Sequence, residues 1–166
     1  TVGWEASLHL GNIFLDHKKL EEAKAAYEKS IEKAADRSQP HVGLGRYFLR
    51  TEKYAEALAE FEEGIRLDTE NAEAYLGRGE ALVSLNRLTE AEKSFAEAAA
   101  INEKVPTLQA KYGNLLWKLE KRAEAVEAFG KANEQDYKDI DSLWKKGAVE
   151  FQMQNYAAAM ADLSNA

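Results

Sequence analysis

The residue types that usually carry catalysis are sparse in this sequence, and their spacing does not suit it. The three histidines, His9, His17 and His41, include no pair at the i, i+4 spacing that places two metal ligands on one helical face, and there is no HExxH motif. The sequence has no cysteine, which excludes thiolate nucleophiles, thiolate metal sites and disulfides. The glycines are dispersed rather than clustered in a phosphate-binding loop. We therefore expect a protein that is not an enzyme and that holds no metal or cofactor.

The charged residues are typical of a solvated helical surface. Carboxylates are abundant, as in Glu60, Glu62 and Glu63, but they follow no catalytic spacing. The formal net charge of −7 over 166 residues disfavours non-specific binding to nucleic acid or to an anionic membrane. No apolar run approaches the length of a membrane span. The expected partner is therefore a protein or peptide, with no direct membrane insertion, and a cytoplasmic location is favoured without excluding the periplasm.

A 34-residue repeat determines where any binding residue must lie. Five glycines recur at this interval, each is followed twelve residues later by an alanine, and a large apolar residue comes four residues after the alanine. The frame glycines are Gly11, Gly45, Gly79, Gly113 and Gly147. The apolar residues are Tyr27, Phe61, Phe95, Phe129 and Leu163. A fixed period of this length is the signature of a repeat architecture, and glycine within a helix predicts a close crossing of two helices.

Each repeat is predicted to contain two antiparallel helices joined by a short polar turn. Apolar residues recur at a helical period, for example at Leu20, Ala23 and Tyr27. Pro40 and Pro106 are expected in first turns and Asn71 and Asp139 at N-caps. We expect a single domain over 1–166, a segment of a longer protein, with repeats at 4–37, 38–71, 72–105, 106–139 and an incomplete 140–166.

The repeated units resemble the tetratricopeptide repeat. The resemblance rests on Leu10-Gly11, Phe14, Ala23, Tyr27 and their equivalents in the later units, and it covers essentially the whole chain. It implies an all-α fold, a right-handed α-α superhelix of about five helix-turn-helix repeats. The chain departs from the family pattern where the proline common at the repeat end is replaced, at Ala35, Thr69, Glu103 and Tyr137.

The resemblance also implies a concave peptide-binding groove lined by the first helix of each repeat. Counting from the frame glycines, the groove arc includes apolar positions such as Leu15, Val42 and Leu76. The candidate binding residues on this arc are Asn12, Arg46, Arg50, Lys111, Asn114, Trp117, Lys118, Trp144, Lys145 and Phe151. The first helices are together slightly basic and the rest of the chain is acidic, so a peptide with acidic character is favoured.

Two features of the groove have alternative interpretations. Trp117 and Trp144 are either ligand anchors or packing residues between repeats. Gly43 and Gly77 lie outside the glycine frame, and either let a ligand approach the backbone or permit tight packing.

The expected function is a scaffold that docks a partner peptide or domain, mainly through repeats two to five. The carboxylate clamp of heat-shock co-chaperones is not expected, because only Asn12 matches its pattern. Three alternatives remain. The chain could self-associate through an open C-terminal repeat, where Tyr156, Met160 and Leu163 would form an apolar face, or it could regulate an enzyme outside this segment. RNA binding is the least favoured alternative, because the net charge is negative.

Overall fold

The computed structural model describes residues 3–105, 107–135, 142 and 144–154, and these residues are helices joined by turns, with no strand among them. The helices are α1 (Trp4–Asp16), α2 (Leu20–Lys33), α3 (Ser38–Arg50), α4 (Tyr54–Leu67), α5 (Ala72–Ser84), α6 (Leu88–Asn102), α7 (Leu108–Lys118), α8 (Arg122–Gln135) and, in residues 144–154, α9. Both helices predicted in each of the first four repeats are present. The all-α prediction is confirmed.

The chain divides into two compact units, Thr1–Asn102 and Glu103–Ala166. In the first unit, α1 packs on α2, α3 on α4 and α5 on α6, and α2 also packs on α3 and α4 on α5. The first helices contact one another in order, α1 with α3 and α3 with α5. In the second unit, α7 packs on α8. The short connections make the paired helices antiparallel, as in other stacked helical repeats.

The first helices α1, α3, α5 and α7 each end in a left-handed residue that is not glycine. After α1, the Lys18 N–H donates to the Leu15 carbonyl oxygen at 3.1 Å and the Lys19 N–H donates to the Phe14 carbonyl oxygen at 2.8 Å, which is the pattern of a Schellman motif. The same two bonds recur 34 residues apart along the chain. In these four turns the residues with positive φ are Lys18, Glu52, Asn86 and Glu120. This terminator was not predicted, because none of these residues is glycine.

Asn71 joins three helices of the first unit. Its side-chain oxygen accepts a hydrogen bond from the Ala74 N–H at 3.2 Å, which caps α5 as predicted. Its side-chain amide donates to the Ser38 hydroxyl at 2.9 Å, and that hydroxyl donates to the Gly64 carbonyl oxygen at 2.8 Å. The cap therefore also connects the start of α3 to the last turn of α4.

Pro40 lies in the first turn of α3, where the missing N–H breaks no helical hydrogen bond. The other predicted start signals, Pro106 and Asp139, lie outside the described residues. α7 begins after Thr107, which has φ of 63°.

The core of each complete repeat is a glycine set against an aromatic ring. A Cβ added at Gly11 would lie 2.6 Å from the Tyr27 ring, and one added at Gly79 would lie 2.5 Å from the Phe95 ring. Gly45 and Gly113 have the same relation to their own aromatic residues, Phe61 and Phe129, which are fully buried. The predicted crossings are confirmed in four repeats, and burial of each ring stabilises the fold by roughly 1.5–3 kcal/mol.

Gly147 is exposed, and nothing among the described residues lies within 4 Å of a Cβ added there. Its expected partner, Leu163, lies outside the described residues.

Gly43 and Gly77 serve packing between successive repeats. A Cβ at Gly43 would lie 2.5 Å from the Tyr27 ring, and a Cβ at Gly77 would lie 2.2 Å from the Phe61 ring. Both glycines are buried. The rings of Tyr27 and Phe61 are therefore each held between the frame glycine of their own repeat and a second glycine of the next repeat. Of the two interpretations, tight packing is correct, and a ligand has no access to this backbone.

Candidate peptide-binding surfaces

In the first unit, the contacts of α1 with α3 and of α3 with α5 place one side of the three first helices next to one another. The apolar positions assigned to this side are core residues. Leu15, Val42 and Leu76 are 7%, 3% and 8% exposed, because the close packing of neighbouring helices covers them. These three positions of the predicted arc are therefore covered, and the exposed candidate residues on this side are polar.

Three candidate residues of the first unit remain accessible. Arg46 and Arg50 are exposed on α3, and Asn12 is half-buried on α1. The Arg46 guanidinium donates to the Glu73 carboxylate at 2.7 Å, which joins α3 to α5. Because both side chains are about half exposed, the pair contributes at most about 1 kcal/mol to stability.

Tyr27 adds a polar atom to this surface that the sequence analysis did not identify. Its hydroxyl donates to the Asn12 side-chain oxygen at 2.8 Å, although its ring is buried. Burial raises the pKa of Tyr27 to about 12; the charge of Arg46 opposes this rise and that of Asp16 adds to it. The sequence offered one indication of this hydroxyl: the position occupied by Tyr27 holds a phenylalanine in the next three repeats, at Phe61, Phe95 and Phe129.

In the second unit, the candidates on α7 are only partly accessible. Lys111, Asn114 and Trp117 are half-buried and Lys118 is exposed. Trp117 packs against a core cluster formed by Leu116, Ala125, Ala128, Phe129 and Val149. The packing interpretation therefore applies to Trp117, at least for the part of its ring that meets this cluster.

The second tryptophan, Trp144, is exposed to solvent rather than packed on the core. On α9, Trp144 is 72% exposed and Phe151 is 64% exposed. They are seven residues apart, which is two helical turns, and therefore lie on the same face. Val149, on another side of the same helix, is 1% exposed and belongs to the core cluster. The helix is thus held by Val149 and presents two aromatic side chains to solvent, with the half-buried Lys145 beside Trp144.

The three histidines form no common site. His41 contacts Glu60 at 2.8 Å between α3 and α4, and the His17 ring contacts the Ile13 carbonyl oxygen at 2.8 Å. His9 is exposed on α1. Over residues 3–105, 107–135, 142 and 144–154, no group of three or more potential metal ligands is assembled. Within the same part of the chain, no helix has the length and apolar character needed to cross a membrane.

Comparison with known families identifies the family of this chain. Residues 42–106 match one model of the tetratricopeptide repeat, and residues 5–36 and 107–139 match a second model with the same description. The chain belongs to the tetratricopeptide repeat family. Members of this family have an all-helical repeat superhelix that generally serves as a scaffold for protein–protein interaction and is typically non-enzymatic. No curated protein matches the chain significantly in sequence.

Solved structures of other tetratricopeptide repeat proteins are similar in fold. The structure of pilF from Pseudomonas aeruginosa has a TM-score of 0.83 at 21% identity, over 95% of this chain and 72% of that one. TTC0263 from Thermus thermophilus has a TM-score of 0.77 at 19% identity, over 89% and 81%. YrrB, a tetratricopeptide repeat protein with an unusual peptide-binding site, has a TM-score of 0.70 at 25% identity, over 90% and 77%.

Proposed function

We propose that this chain is a protein-interaction scaffold that binds a peptide or partner segment on the exposed face of α9. The observation that carries the proposal is the exposure of Trp144 and Phe151 on one helical face. Large aromatic side chains are the commonest anchors of protein interfaces, because each removes roughly 150–250 Å² from water when it is covered. Two of them, two turns apart on one face, provide an apolar strip that is not needed to hold α9 in the core.

The lysines of this unit support a partner with acidic character. Lys145 lies next to Trp144 in sequence, and Lys118 is exposed on α7 of the same unit, with Lys111 and Asn114 half-buried on that helix. Cationic groups on a binding domain accelerate association with an acidic segment and lose this effect at high salt. A peptide that combines apolar and acidic residues fits both features.

The polar surface of the first unit is a second, weaker contact region in this proposal. Arg50 is exposed there, and Asn12 and Arg46 offer hydrogen-bond donors beside the Tyr27 hydroxyl. The acidic Asp16 and Glu73 also lie on this surface, so it is not a basic patch. Its expected role is orientation of a bound chain rather than most of the affinity. The peptide-binding site of YrrB, a family relative of similar fold, supports a binding role in general terms.

Selection of displayed random peptides against the 166-residue chain, followed by calorimetric titration of the selected peptides, tests the proposal. We expect Trp144→Ala to weaken binding about 30-fold, corresponding to a hot spot of about 2 kcal/mol. Phe151→Ala is expected to weaken binding in the same direction. Because both residues are mainly exposed, each change should alter the free energy of unfolding by less than about 0.5 kcal/mol.

Met153→Ala is the matched control, since Met153 is on the same helix, is 37% exposed, and lies about 180° around the helix from Trp144. Peptides whose affinity is unchanged by both Trp144→Ala and Phe151→Ala would contradict the proposal. Light scattering over a concentration series separates peptide binding from self-association. Tyr156, Met160 and Leu163, the residues expected in a self-associating end, lie outside the described residues.

A further inference from the structure

The side shared by the first helices of the first unit carries its charges in three bands, one on each helix. α3 contacts both α1 and α5, so the three helices form a row. The acidic and basic residues of this side are Glu5 and Asp16 on α1, Arg46 and Arg50 on α3, and Glu73 and Glu80 on α5. The order across the row is therefore negative, positive, negative. This surface faces sideways from the row, so a further helix packed on either end of the row leaves it exposed.

Hydrogen bonding and helical spacing place the α3 and α5 bands side by side. The Arg46 guanidinium donates to the Glu73 carboxylate at 2.7 Å, so these two side chains meet across the gap between the helices. Arg50 is four residues after Arg46, and at this spacing both lie on one face of α3. Glu80 is seven residues after Glu73, which places both on one face of α5. The two bands therefore face the same way.

The Tyr27 hydroxyl links the α1 band to the same surface. It donates to the Asn12 side-chain oxygen at 2.8 Å, and Asn12 is one helical turn before Asp16 on α1. Burial raises the pKa of Tyr27, and the charges of Arg46 and Asp16 act on the same hydroxyl in opposite directions. Glu5 is about three helical turns before Asp16 and therefore lies on the same face of α1. The acidic band of α1 thus adjoins the basic band of α3.

The distance between the helices determines which ligand spacing suits these bands. Packed helices lie about 8–10 Å apart. An extended chain advances about 3.3 Å per residue, so about three residues carry it from one helix to the next. A chain that crosses the row therefore presents every third residue to α1, α3 and α5 in turn. A segment that is acidic throughout is repelled at both outer helices.

We propose that the three bands select an extended segment of a partner protein in which an acidic residue has one basic residue three positions before it and another three positions after it. The acidic residue pairs with α3, where Arg50 is exposed and forms no ion pair within the part of the chain that the structure describes. The basic residues pair with the carboxylates of α1 and α5. The inference rests on the proposed function in one respect, that the first unit contacts a bound segment, and it does not require the α9 face.

A second copy of this chain does not offer such a segment in extended form. The pattern occurs twice in the sequence, at Lys18, Glu21 and Lys24 and at Arg87, Glu90 and Lys93. Both occurrences run from a turn into the first residues of a helix, α2 or α6. Residues three apart on a helix are about 5–6 Å apart at Cβ, which is too close to match helices about 8–10 Å apart. The occupant is therefore a segment of a different protein.

Amide chemical-shift titration of the 166-residue chain tests the proposal and detects binding even at millimolar affinity. Two peptides with blocked termini and serine spacers are compared, one with Lys, Glu and Lys at every third residue and one with the order Lys, Lys and Glu. The second peptide has the same composition but sets two of its charges against like charges. At about 0.01 M ionic strength, where screening extends over about 30 Å, the first peptide should bind about tenfold more tightly and shift amides of α1, α3 and α5.

Arg50→Glu is the decisive variant, because it cancels the net positive charge of the α3 band. The tenfold preference between the two peptides should disappear in this variant. Lys29→Glu is the matched control, since it makes the same change in net charge at an exposed position on α2, outside the bands, and it should keep the preference. Trp144→Ala should keep it as well, because the α9 face is not involved.

Equal dissociation constants for the two peptides, or no shift on α1, α3 and α5 at millimolar peptide, would overturn the proposal. A preference that persists in Arg50→Glu would also contradict it. Shifts confined to α9 that vanish in Trp144→Ala would overturn the charge bands and leave the proposed function intact. The reverse result, in which the preference holds but no selected peptide depends on Trp144 or Phe151, would support the bands and contradict only binding at α9.

Discussion

Replacing Gly77 by alanine tests whether the glycines outside the frame are packing residues. A Cβ at this position would lie 2.2 Å from Cε1 and 2.3 Å from Cζ of Phe61. Ordinary carbon–carbon contact begins at about 3.5 Å, so the ring or the helix must move by more than about 1 Å. Phe61 is fully buried and is also pressed against Gly45, where an added Cβ would lie 2.9 Å from the ring. The ring therefore has no free space on either side.

The expected change in the free energy of unfolding follows from two opposing effects. Overpacking a rigid core costs about 1–3 kcal/mol, and the short distance at Gly77 places it near the upper limit. Alanine regains about 1 kcal/mol over glycine in a helix. Gly77→Ala should therefore reduce the free energy of unfolding by about 2 kcal/mol. Gly45→Ala, with the longer 2.9 Å distance, should reduce it less.

Gly130→Ala is the matched control, because it makes the same substitution in a helix where the nearest atom among the described residues, the Lys146 Nζ, is 4.0 Å from the new Cβ. The propensity gain should dominate there, so this variant should be more stable than the parent by up to about 1 kcal/mol. Urea denaturation followed by circular dichroism measures both changes. A Gly77→Ala variant as stable as Gly130→Ala would refute the packing interpretation.

A double-mutant cycle sharpens the test. If Phe61 is the group that clashes, Phe61→Leu should recover part of the stability lost in Gly77→Ala, giving a non-additive pair. Full additivity of the two substitutions would indicate that the ring is not the cause.

Other perturbations of the described contacts have defined outcomes. Tyr27→Phe should cost about 0.5–1.5 kcal/mol by removing the hydrogen bond to Asn12, measured by urea denaturation, with Tyr54→Phe as a control. Because the pKa of Tyr27 is raised from 10.0 to about 12 in the folded state, its contribution to stability is complete below pH 10 and is lost as pH rises towards 12. Ultraviolet titration should show a late-titrating tyrosine that is absent in Tyr27→Phe. Glu52→Gly should stabilise the fold by about 0.5–1 kcal/mol by relieving a left-handed residue with φ of 59°, whereas Lys53→Gly, its neighbour, should not. Equal effects at the two positions would argue against the left-handed terminator.

Much of the fold follows from local sequence information. The 34-residue glycine frame predicts both helices of each repeat and the ring that meets each frame glycine, and four of these pairs are seen in the structure. The Asn71 cap is likewise predicted from one side chain at one position. Such features depend on residues close in sequence, whose relative positions a helix fixes by its geometry.

Other features depend on neighbours that one repeat cannot specify. Helical register alone placed Leu15 and Val42 in an accessible groove, but packing between successive helices buries them. By their position in the repeat, Trp117 and Trp144 were both candidate ligand anchors. Trp117 packs on a core cluster, whereas Trp144 is 72% exposed. Accessibility is a property of what lies across the interface, so a position within the repeat does not determine it.

The sequence by itself therefore determined the period, the helices and the glycine–aromatic crossings within repeats, because these need only the local geometry of a helix pair. Tertiary structure decided the roles of Gly43 and Gly77, which accommodate the ring of the preceding repeat. It also decided that Leu10 and Ile13 are exposed although their equivalents Leu44 and Tyr47 are buried. The physical reason is the same in each case: a side chain loses its contact with water only where another helix is actually packed against it.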